Sequence, residues 1–392
     1  MRILIANDGF GDAGGVQSYL DRVTSGLAAR GHEIAIAHRD AQPAPFADAA
    51  TYRFPQFTSA HHGVAAALDA VARWAPDVCF SHNMDRLPLE RGLCDRWPVV
   101  KFMHGYLGTC ISGQKQHRFP MAQPCGRAFG PACLALYGPR RCGQLSVTTL
   151  MTGYRWALEQ RELYSRYRSI VVASDHMRRE FVRSGIDPSR VSVNPLFPTH
   201  DQAPDPTAPA PGAPSLVFLG RMTVLKGVDL LIRAVADASA RLGIRIRLAA
   251  IGDGPQRPAC EQLAAGLHVD ATFCGWLKGD ARWDWVRRAT LLALPSTWPE
   301  PFGLVGLEAA ALGVPAIAFD VGGVRQWLRP GETGFLVPAD PPRASRFADV
   351  LVEALSRPAE LADMGARAIA AAREMSLERH LDRLEQILGT AN

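Results

Sequence analysis

The chain has 392 residues, 47% of them hydrophobic and 21% charged, which is long enough for two domains with separate cores. Its net charge of +5 is uneven, because residues 101–200 hold 14 Lys and Arg against 5 Asp and Glu. This asymmetry suggests an acidic partner, although no nucleic-acid recognition motif is present, and the alternative is a solvated basic face without a partner. No apolar run approaches the roughly 18–20 residues of a transmembrane helix, and the N-terminus lacks the features of a signal peptide, so we expect a cytoplasmic protein.

The N-terminal half begins with a strand at 3–6, a glycine-rich loop at 9–15, a helix from about 16 to 30 and a strand at 34–38. Further strands are expected at 78–80, 99–103 and 170–173. A β-loop-α-β start of this kind is typical of a parallel, doubly wound sheet. We therefore predict an α/β domain over residues 1–197.

Two features of this half could contact a ligand. Gly9, Gly11 and Gly14 spell G-x-G-x-x-G between a strand and a helix, so a dinucleotide-binding oxidoreductase must be considered, although the second strand ends ambiguously where an acidic residue should hold ribose. His104 follows the strand at 99–103, and the carboxyl end of a strand borders the ligand crevice of an open α/β sheet. The alternative for His104 is an edge histidine with local hydrogen bonds.

Four clustered cysteines lie in a segment at about 105–145 that looks like an insertion after His104: Cys110, Cys125, Cys133 and Cys142. In a cytosolic protein such a cluster favours a metal over disulfides, so structural zinc is one interpretation, with an iron–sulfur centre less favoured. The spacing contains no C-x₂-C pair, and independent thiols remain the other interpretation. The remaining four cysteines are typical of core or helix positions.

Apolar residues at 147, 150, 151, 154 and 158 then follow a helical stripe with several arginines nearby. Such a stripe could rest on an anionic membrane surface, in which case the protein would be peripheral at the inner face of the membrane. The alternative is a helix that buries the stripe in the core of the N-terminal domain.

Residues 198–214 are rich in proline and poor in apolar side chains, so we predict a linker there. The alternation of elements restarts after it. Strands are expected at 215–219, 246–251, 271–274, 291–294, 315–319 and 335–337, and helices at 226–241, 256–265, 281–288, 304–312, 323–328 and 343–355. This predicts a second domain over 215–375, followed by a last amphipathic segment at 376–392.

The most informative motif is the pair Glu300 and Glu308, an E-x₇-E pattern across a glycine turn that joins a buried strand to a helix start. Backbone N–H groups at a helix start bind anions, and a glutamate there can accept hydrogen bonds from hydroxyls beside the anion. An anion with hydroxyls describes a nucleotide sugar. Arg221 and Lys226, which follow the strand at 215–219, could neutralise its diphosphate.

With these motifs the chain resembles the retaining glycosyltransferases of family 4, which have the GT-B fold of two Rossmann-like domains around a cleft. The resemblance covers 215–340 closely, through the E-x₇-E motif and several glycine turns, and the N-terminal half more loosely. The glycine turns in the second half begin at Gly220, Gly252, Gly322 and Gly331.

The resemblance implies a donor site on the C-terminal domain and an acceptor site on the N-terminal domain, and a last helix at 376–392 that packs back toward the N-terminal domain. Arg221 and Lys226 would hold the diphosphate, Glu300 the sugar hydroxyls and Glu308 the ribose hydroxyls, expected from the first turn of its helix; His104 would lie near the transferred sugar. The remaining donor contacts would come from Gly15, Gly252, Trp276, Phe302, Gly303 and Leu304, although a buried core position is the more usual interpretation of a tryptophan such as Trp276.

We therefore predict a transferase that moves a sugar from a UDP- or GDP-sugar to a saccharide or lipid-linked acceptor, in polysaccharide or glycolipid biosynthesis. No D-x-D motif is present, so no metal cofactor is expected for catalysis, and the chain offers no defensible carboxylate pair for nucleophile and acid. The alternatives are a non-catalytic nucleotide-sugar-binding protein, favoured by Gln326 where the family commonly has glutamate, and a GT-B nucleotide-sugar epimerase.

Overall fold

The computed structural model describes residues 1–9, 15–39, 54–60, 63–84, 87–200, 212–277 and 279–389. The chain forms two compact units. The first consists of Met1–Lys115, Gly126–Thr199 and Leu377–Asn392, and the second of Gln116–Cys125 and His200–Ser376. Most of the predicted glycine-rich loop, including Gly11 and Gly14, and most of the predicted linker lie outside the described residues.

The strands are, in chain order, β1 (Arg2–Ala6), β2 (Glu33–His38), β3 (Gln56–Thr58), β4 (Val78–Ser81), β5 (Val99–Met103), β6 (Gln116–His117), β7 (Gln123–Pro124), β8 (Ser169–Val172), β9 (Val191–Val193), β10 (Ser215–Leu219), β11 (Arg247–Ile251), β12 (Asp270–Gly275), β13 (Leu291–Leu294), β14 (Ala316–Phe319) and β15 (Gly334–Val337). The helices are α1 (Gly15–Ala29), α2 (Gly63–Trp74), α3 (Leu87–Arg96), α4 (Ala132–Tyr137), α5 (Val147–Tyr164), α6 (Asp175–Arg183), α7 (Val228–Leu242), α8 (Arg257–Gly266), α9 (Ala281–Arg287), α10 (Leu304–Ala311), α11 (Ala344–Leu355), α12 (Pro358–Arg373) and α13 (Leu377–Gly389).

The first unit is built on a parallel sheet with the strand order β3-β2-β1-β4-β5-β8-β9. Its central strand β1 is apolar after Arg2, and the side chains of Ile3, Leu4 and Ile5 are fully buried. Burial on both faces is the normal state of a parallel sheet, because helices cover both of them. The neighbouring strands β4 and β5 pair Ser81 with Lys101, so residues that follow these strands lie side by side.

The helix α13, the last of the chain, belongs to the first unit and packs on α1. Gly26 permits this close approach, since a Cβ atom there would lie 2.6 Å from Cδ1 of Leu381. Arg30 adds ion pairs to Asp382 at 2.7 Å and Glu385 at 2.8 Å. The segment predicted as the last amphipathic stretch is thus part of the first unit.

The second unit has a parallel sheet with the order β12-β11-β10-β13-β14-β15, so its strands are added on both sides of β10. In such doubly wound sheets ligands bind at the carboxyl ends of the strands, near the point where the direction of winding reverses. The loops after β10, β11 and β13 are therefore the ones to search for a site.

The predicted α/β class with two doubly wound, Rossmann-like units is confirmed. The six predicted strands of the second half match β10 to β15 within one or two residues. The helix expected at 323–328 is instead a single 3₁₀ turn, Val324–Gln326, and α12 was not predicted. No helix in the described ranges is long and apolar enough to cross a bilayer.

Candidate active site

The loop between β13 and α10 carries the E-x₇-E motif. Gly303 closes this loop in the left-handed conformation, with a φ of 84°, and α10 begins at Leu304 without a side-chain cap. The first N–H groups of α10 are therefore not satisfied by a capping side chain, and the helix dipole favours an anion at this end. The buried Phe302 accepts a 2.7 Å hydrogen bond from the Trp327 indole at its carbonyl, which fixes the loop just before the helix.

Two glycines bring the next turn against this loop. Gly322 has a φ of 61°, and a Cβ atom there would lie 2.2 Å from the carbonyl oxygen of Glu300. The N–H of Gly323 donates to that same oxygen at 2.7 Å. Gly306 likewise leaves room for the Trp327 ring, which a Cβ atom would approach to 2.0 Å. The glycines of the motif therefore permit close packing around Glu300.

Lys226 and Glu300 form the central ion pair of the site. Nζ of Lys226 lies 2.6 Å from Oε1 of Glu300, and Ser296 donates its hydroxyl to the same carboxylate oxygen. The side chain of Glu300 is only 5% exposed, whereas that of Lys226 is 26% exposed and also lies 5.5 Å from the centre of the Trp298 ring. The site thus holds a nearly buried carboxylate whose cationic partner remains accessible to a ligand.

Arg221 is exposed, and its side chain makes no hydrogen bond or ion pair with the residues that the structure describes. It follows β10 in a turn that is held against the turn after β11. Gly252, with a φ of 124°, allows the two backbones to meet, since a Cβ atom there would lie 2.1 Å from the carbonyl oxygen of Gly220. The N–H of Met222 donates to the carbonyl of Asp253 at 2.8 Å, which joins the turns.

Two expectations about individual residues are wrong. Glu308 lies in the second turn of α10 and not in the first, because the helix already begins at Leu304, four residues before it. Its side chain is nearly buried at 5% exposure, and its backbone carbonyl accepts a 3.0 Å hydrogen bond from His200. Trp276 is not a core residue, since it follows the edge strand β12 and is 59% exposed.

The second unit also contains a short hairpin that the sequence did not indicate. β6 and β7 pair in an antiparallel manner within Gln116–Cys125, a segment taken from the first half of the chain. The Gln116 amide donates to the Thr297 hydroxyl at 2.8 Å, and the N–H of Thr297 donates to the carbonyl of Leu225 at 2.9 Å. Thr297 therefore ties the loop before Glu300 both to this hairpin and to the residue before Lys226.

In the first unit, Gly15 is the first residue of α1 and His104 follows β5. Nε2 of His104 lies 3.1 Å from Nδ1 of His82, which follows the neighbouring strand β4. Burial, followed by the positive charge of Lys101, lowers the pKa of His104 to about 3, so its ring is neutral near pH 7. Only the strand-end position of His104 could be recognised in the sequence, and His82 was missed although it has the same signal.

The four clustered cysteines are not brought together. All four are free thiols, and no three His, Cys, Asp or Glu side chains within the described ranges are placed to hold a metal ion. Cys133 and Cys142 instead pack against an apolar cluster that includes Phe129 and Tyr137, while Cys125 belongs to the second unit. The insertion is thus packed at least in part by its own apolar side chains, and the structural zinc stays a prediction.

Comparison with known proteins gives matches in both halves of the chain. Residues 14–196 match the "Glycosyl transferase 4-like domain" and residues 213–357 match "Glycosyl transferases group 1". A D-inositol 3-phosphate glycosyltransferase of Nocardia farcinica is 30% identical over 398 residues, which cover 93% of this chain and 82% of that protein. Its counterpart from Rhodococcus erythropolis is 28% identical, over 97% of this chain and 87% of that protein.

Solved structures share the whole fold. Sucrose-phosphate synthase from Thermosynechococcus elongatus has a TM-score of 0.74 at 20% identity, covering 99% of this chain and 98% of its own. Anabaena HepE, crystallised with UDP and glucose, has a TM-score of 0.71 at 17% identity, with both chains covered completely. Both halves of the chain therefore match one class of enzyme, the GT-B glycosyltransferases. Within that class the chain belongs to glycosyltransferase family 4.

Proposed function

We propose that this glycosyltransferase is a retaining, metal-independent hexosyltransferase that uses a UDP- or GDP-sugar. Its acceptor is a saccharide or lipid-linked saccharide in polysaccharide or glycolipid biosynthesis. The observation that carries the proposal is the ion pair between Lys226 and Glu300. Glu300 lies three residues before the left-handed Gly303, after which α10 begins without a capping side chain. UDP in the structure of HepE supports a uridine donor.

The chemistry follows from the charges of these residues. When the bond between the anomeric carbon and the β-phosphate oxygen breaks, negative charge grows on the departing diphosphate. Lys226 and Arg221 stabilise that charge, which lowers the barrier. Glu300 accepts hydrogen bonds from the sugar hydroxyls, and Glu308 accepts them from the ribose. The acceptor hydroxyl attacks from the face that the phosphate leaves, and the phosphate oxygen takes its proton, so the anomeric configuration is retained.

A panel of UDP-, GDP- and ADP-sugars with product analysis tests the proposal. We expect transfer from one nucleotide class, with an anomeric configuration in the product that matches that of the donor. Tight donor binding without any product would instead favour a non-catalytic nucleotide-sugar-binding protein. An isomerised nucleotide sugar would favour an epimerase.

We expect full activity in EDTA. The sequence has no D-x-D motif to hold a metal on the diphosphate, and the proposed cations already carry the charge that Mg²⁺ would supply. Initial rates measured after chelation and dialysis check this expectation. Loss of activity that Mg²⁺ or Mn²⁺ restores would contradict the role assigned to Arg221 and Lys226.

We also propose that the first unit contacts an anionic membrane surface through α5. The apolar stripe predicted on this helix divides between two faces. Leu150 and Tyr154 pack against the apolar cluster around Phe129, whereas Val147 is 77% exposed and Met151 53% exposed. The expectation of a stripe buried as a whole is therefore wrong. An exposed apolar strip within a basic segment matches the requirements of an anionic lipid surface.

Liposome sedimentation should show binding that rises with the fraction of anionic lipid and falls with salt, because a surface charge is screened within about 8–10 Å. Replacing Val147 and Met151 by serine should weaken binding. Thr148→Ser, on the same helix, is the control because it removes one methyl group from an exposed residue outside the strip. Equal recovery in the supernatant with neutral and anionic vesicles at low salt would end this proposal and favour a soluble acceptor.

A further inference from the structure

His82 and His104 meet because they follow adjacent parallel strands. β4 ends at Ser81 and β5 at Met103, and the two strands are paired in register along their length. Nδ1 of His82 lies 3.1 Å from Nε2 of His104, with the ring centres 5.3 Å apart and the planes inclined by 35°. One hydrogen bond therefore joins the two rings, and the tautomers decide which ring donates its proton.

The surroundings of His82 restrict which of the two rings can donate the proton. Its side chain is fully buried, and its Nε2 atom has no hydrogen-bond partner among the described residues. The Phe80 ring stands edge-on to it at 4.3 Å. Burial, followed by the charge of His104 and Lys101, lowers the pKa of His82 well below its usual value. Each ring is neutral near pH 7 and therefore has one donor and one acceptor nitrogen.

Only one arrangement avoids a buried unsatisfied donor. If His104 donated through Nε2, the proton of His82 would have to sit on its own Nε2, where it would find no acceptor and incur a desolvation cost. If His82 donates through Nδ1, its Nε2 carries only a lone pair. His104 then accepts at Nε2 and carries its own proton on Nδ1, an atom without a hydrogen-bond partner in the described part of the chain.

We propose that His82 is a positioning residue that holds His104 as its Nδ1–H tautomer, ready to donate a hydrogen bond to a hydroxyl of a sugar ligand. The tautomer follows from the contacts of the resting protein alone. The sugar hydroxyl as recipient rests on the proposed function. Among the described residues, the titratable groups that face the pair include Lys101, which bonds to the carbonyl of His82, and Tyr19, whose ring centre lies 5.9 Å from that of His82 and 5.4 Å from that of His104. His380 bonds to the Tyr19 hydroxyl at 3.0 Å.

The tautomer can be measured without any substrate. In the full-length protein labelled with ¹⁵N-histidine, two-bond correlation spectra distinguish protonated from bare ring nitrogens. His104→Asn identifies the signals of His104. We expect a protonated Nδ1 and a bare Nε2 in the wild type near pH 7. A His104 ring protonated on Nε2, or on both nitrogens, would overturn the proposal even if the transferase assay succeeds.

Two variants of His82 separate orientation from packing. His82→Phe keeps a ring in the buried position but removes the donor, whereas His82→Asn keeps an N–H group near the place of Nδ1. We expect His82→Phe to release the His104 tautomer and to lower kcat/KM for the sugar donor by about 10–100-fold, the usual effect of one oriented hydrogen bond. His82→Asn should recover both readouts at least in part.

A His82→Phe protein whose His104 keeps the wild-type tautomer would overturn the positioning role. The role is also refuted if the phenylalanine and asparagine variants lose activity equally while the tautomer changes in only one of them. If no donor supports transfer by the wild type, the proposed function fails, and the spectra of the resting protein still decide the tautomer.

Discussion

Replacing both Arg221 and Lys226 by alanine is expected to abolish measurable transfer. Each charge-assisted contact to a phosphate contributes about 1.5–3 kcal/mol, so the loss of both should lower kcat/KM by about 10²–10⁴-fold. Arg221 is exposed and its side chain has no partner among the described residues, so its replacement alone should leave the melting temperature unchanged. Lys226→Ala also removes the cation from the nearly buried Glu300 and should cost some stability.

The matched control is Arg233→Ala with Arg245→Ala. Both residues are exposed on the same unit, and this pair removes the same net charge as the Arg221/Lys226 variant. Steady-state rates with a saturating acceptor and a varied donor are the measurement. Wild-type turnover in the Arg221/Lys226 double variant would refute the donor-site assignment. An equal loss of activity in the control would show that the loss comes from the change in net charge and not from contacts to the donor.

Lys101→Met is expected to cause the largest loss of stability among simple substitutions in the first unit. Nζ of Lys101 lies 2.5 Å from the carboxylate of Glu90, and the two side chains are 2% and 0% exposed. Removing one member of a buried pair leaves an uncompensated charge and costs about 3–5 kcal/mol. At about 2–4 °C per kcal/mol, the melting temperature of this unit should fall by about 6–20 °C.

The double variant Lys101→Met with Glu90→Leu provides the test of cause. Replacing both charges by apolar groups removes the uncompensated carboxylate, so much of the lost stability should return. Differential scanning calorimetry of the three proteins gives the comparison. A single variant that melts like the wild type, or a double variant less stable than the single, would show that the pair does not act in this way.

The sheet of the second unit could be predicted well because its strands are short, uninterrupted apolar runs between glycine turns. β13, for example, is Leu291–Leu294 and is fully predicted by its composition. Glu300 could be placed on the loop after β13 because the apolar run before it and the glycine turn after it are both visible in the sequence. The exposure of Trp276 could not be predicted, since a strand at the sheet edge and one at its centre look alike in sequence.

Contacts between residues far apart in the chain could not be predicted from the sequence, for a different reason. Nothing in the sequence relates Lys101 to Glu90, or Gln116 to Thr297, because these pairs form only after strands and loops from separate segments have been brought together. His82 has the same local signal as His104, a histidine after a buried strand. The pairing of β4 with β5, which joins the two histidines, is information about topology and not about local composition.

The division of the chain affects how this enzyme could be recombined with its relatives. The sequence changes unit after Lys115, Cys125, Thr199 and Ser376, so neither unit is a single stretch of chain. A chimera cut only in the proline-rich segment would combine α13 of one parent with α1 of the other and separate Arg30 from Asp382. It would also place a hairpin from the other parent beside the loop before Glu300, in place of the hairpin that bonds to Thr297. To exchange the whole first unit between relatives, three segments must therefore be replaced together: Met1–Lys115, Gly126–Thr199 and Leu377–Asn392.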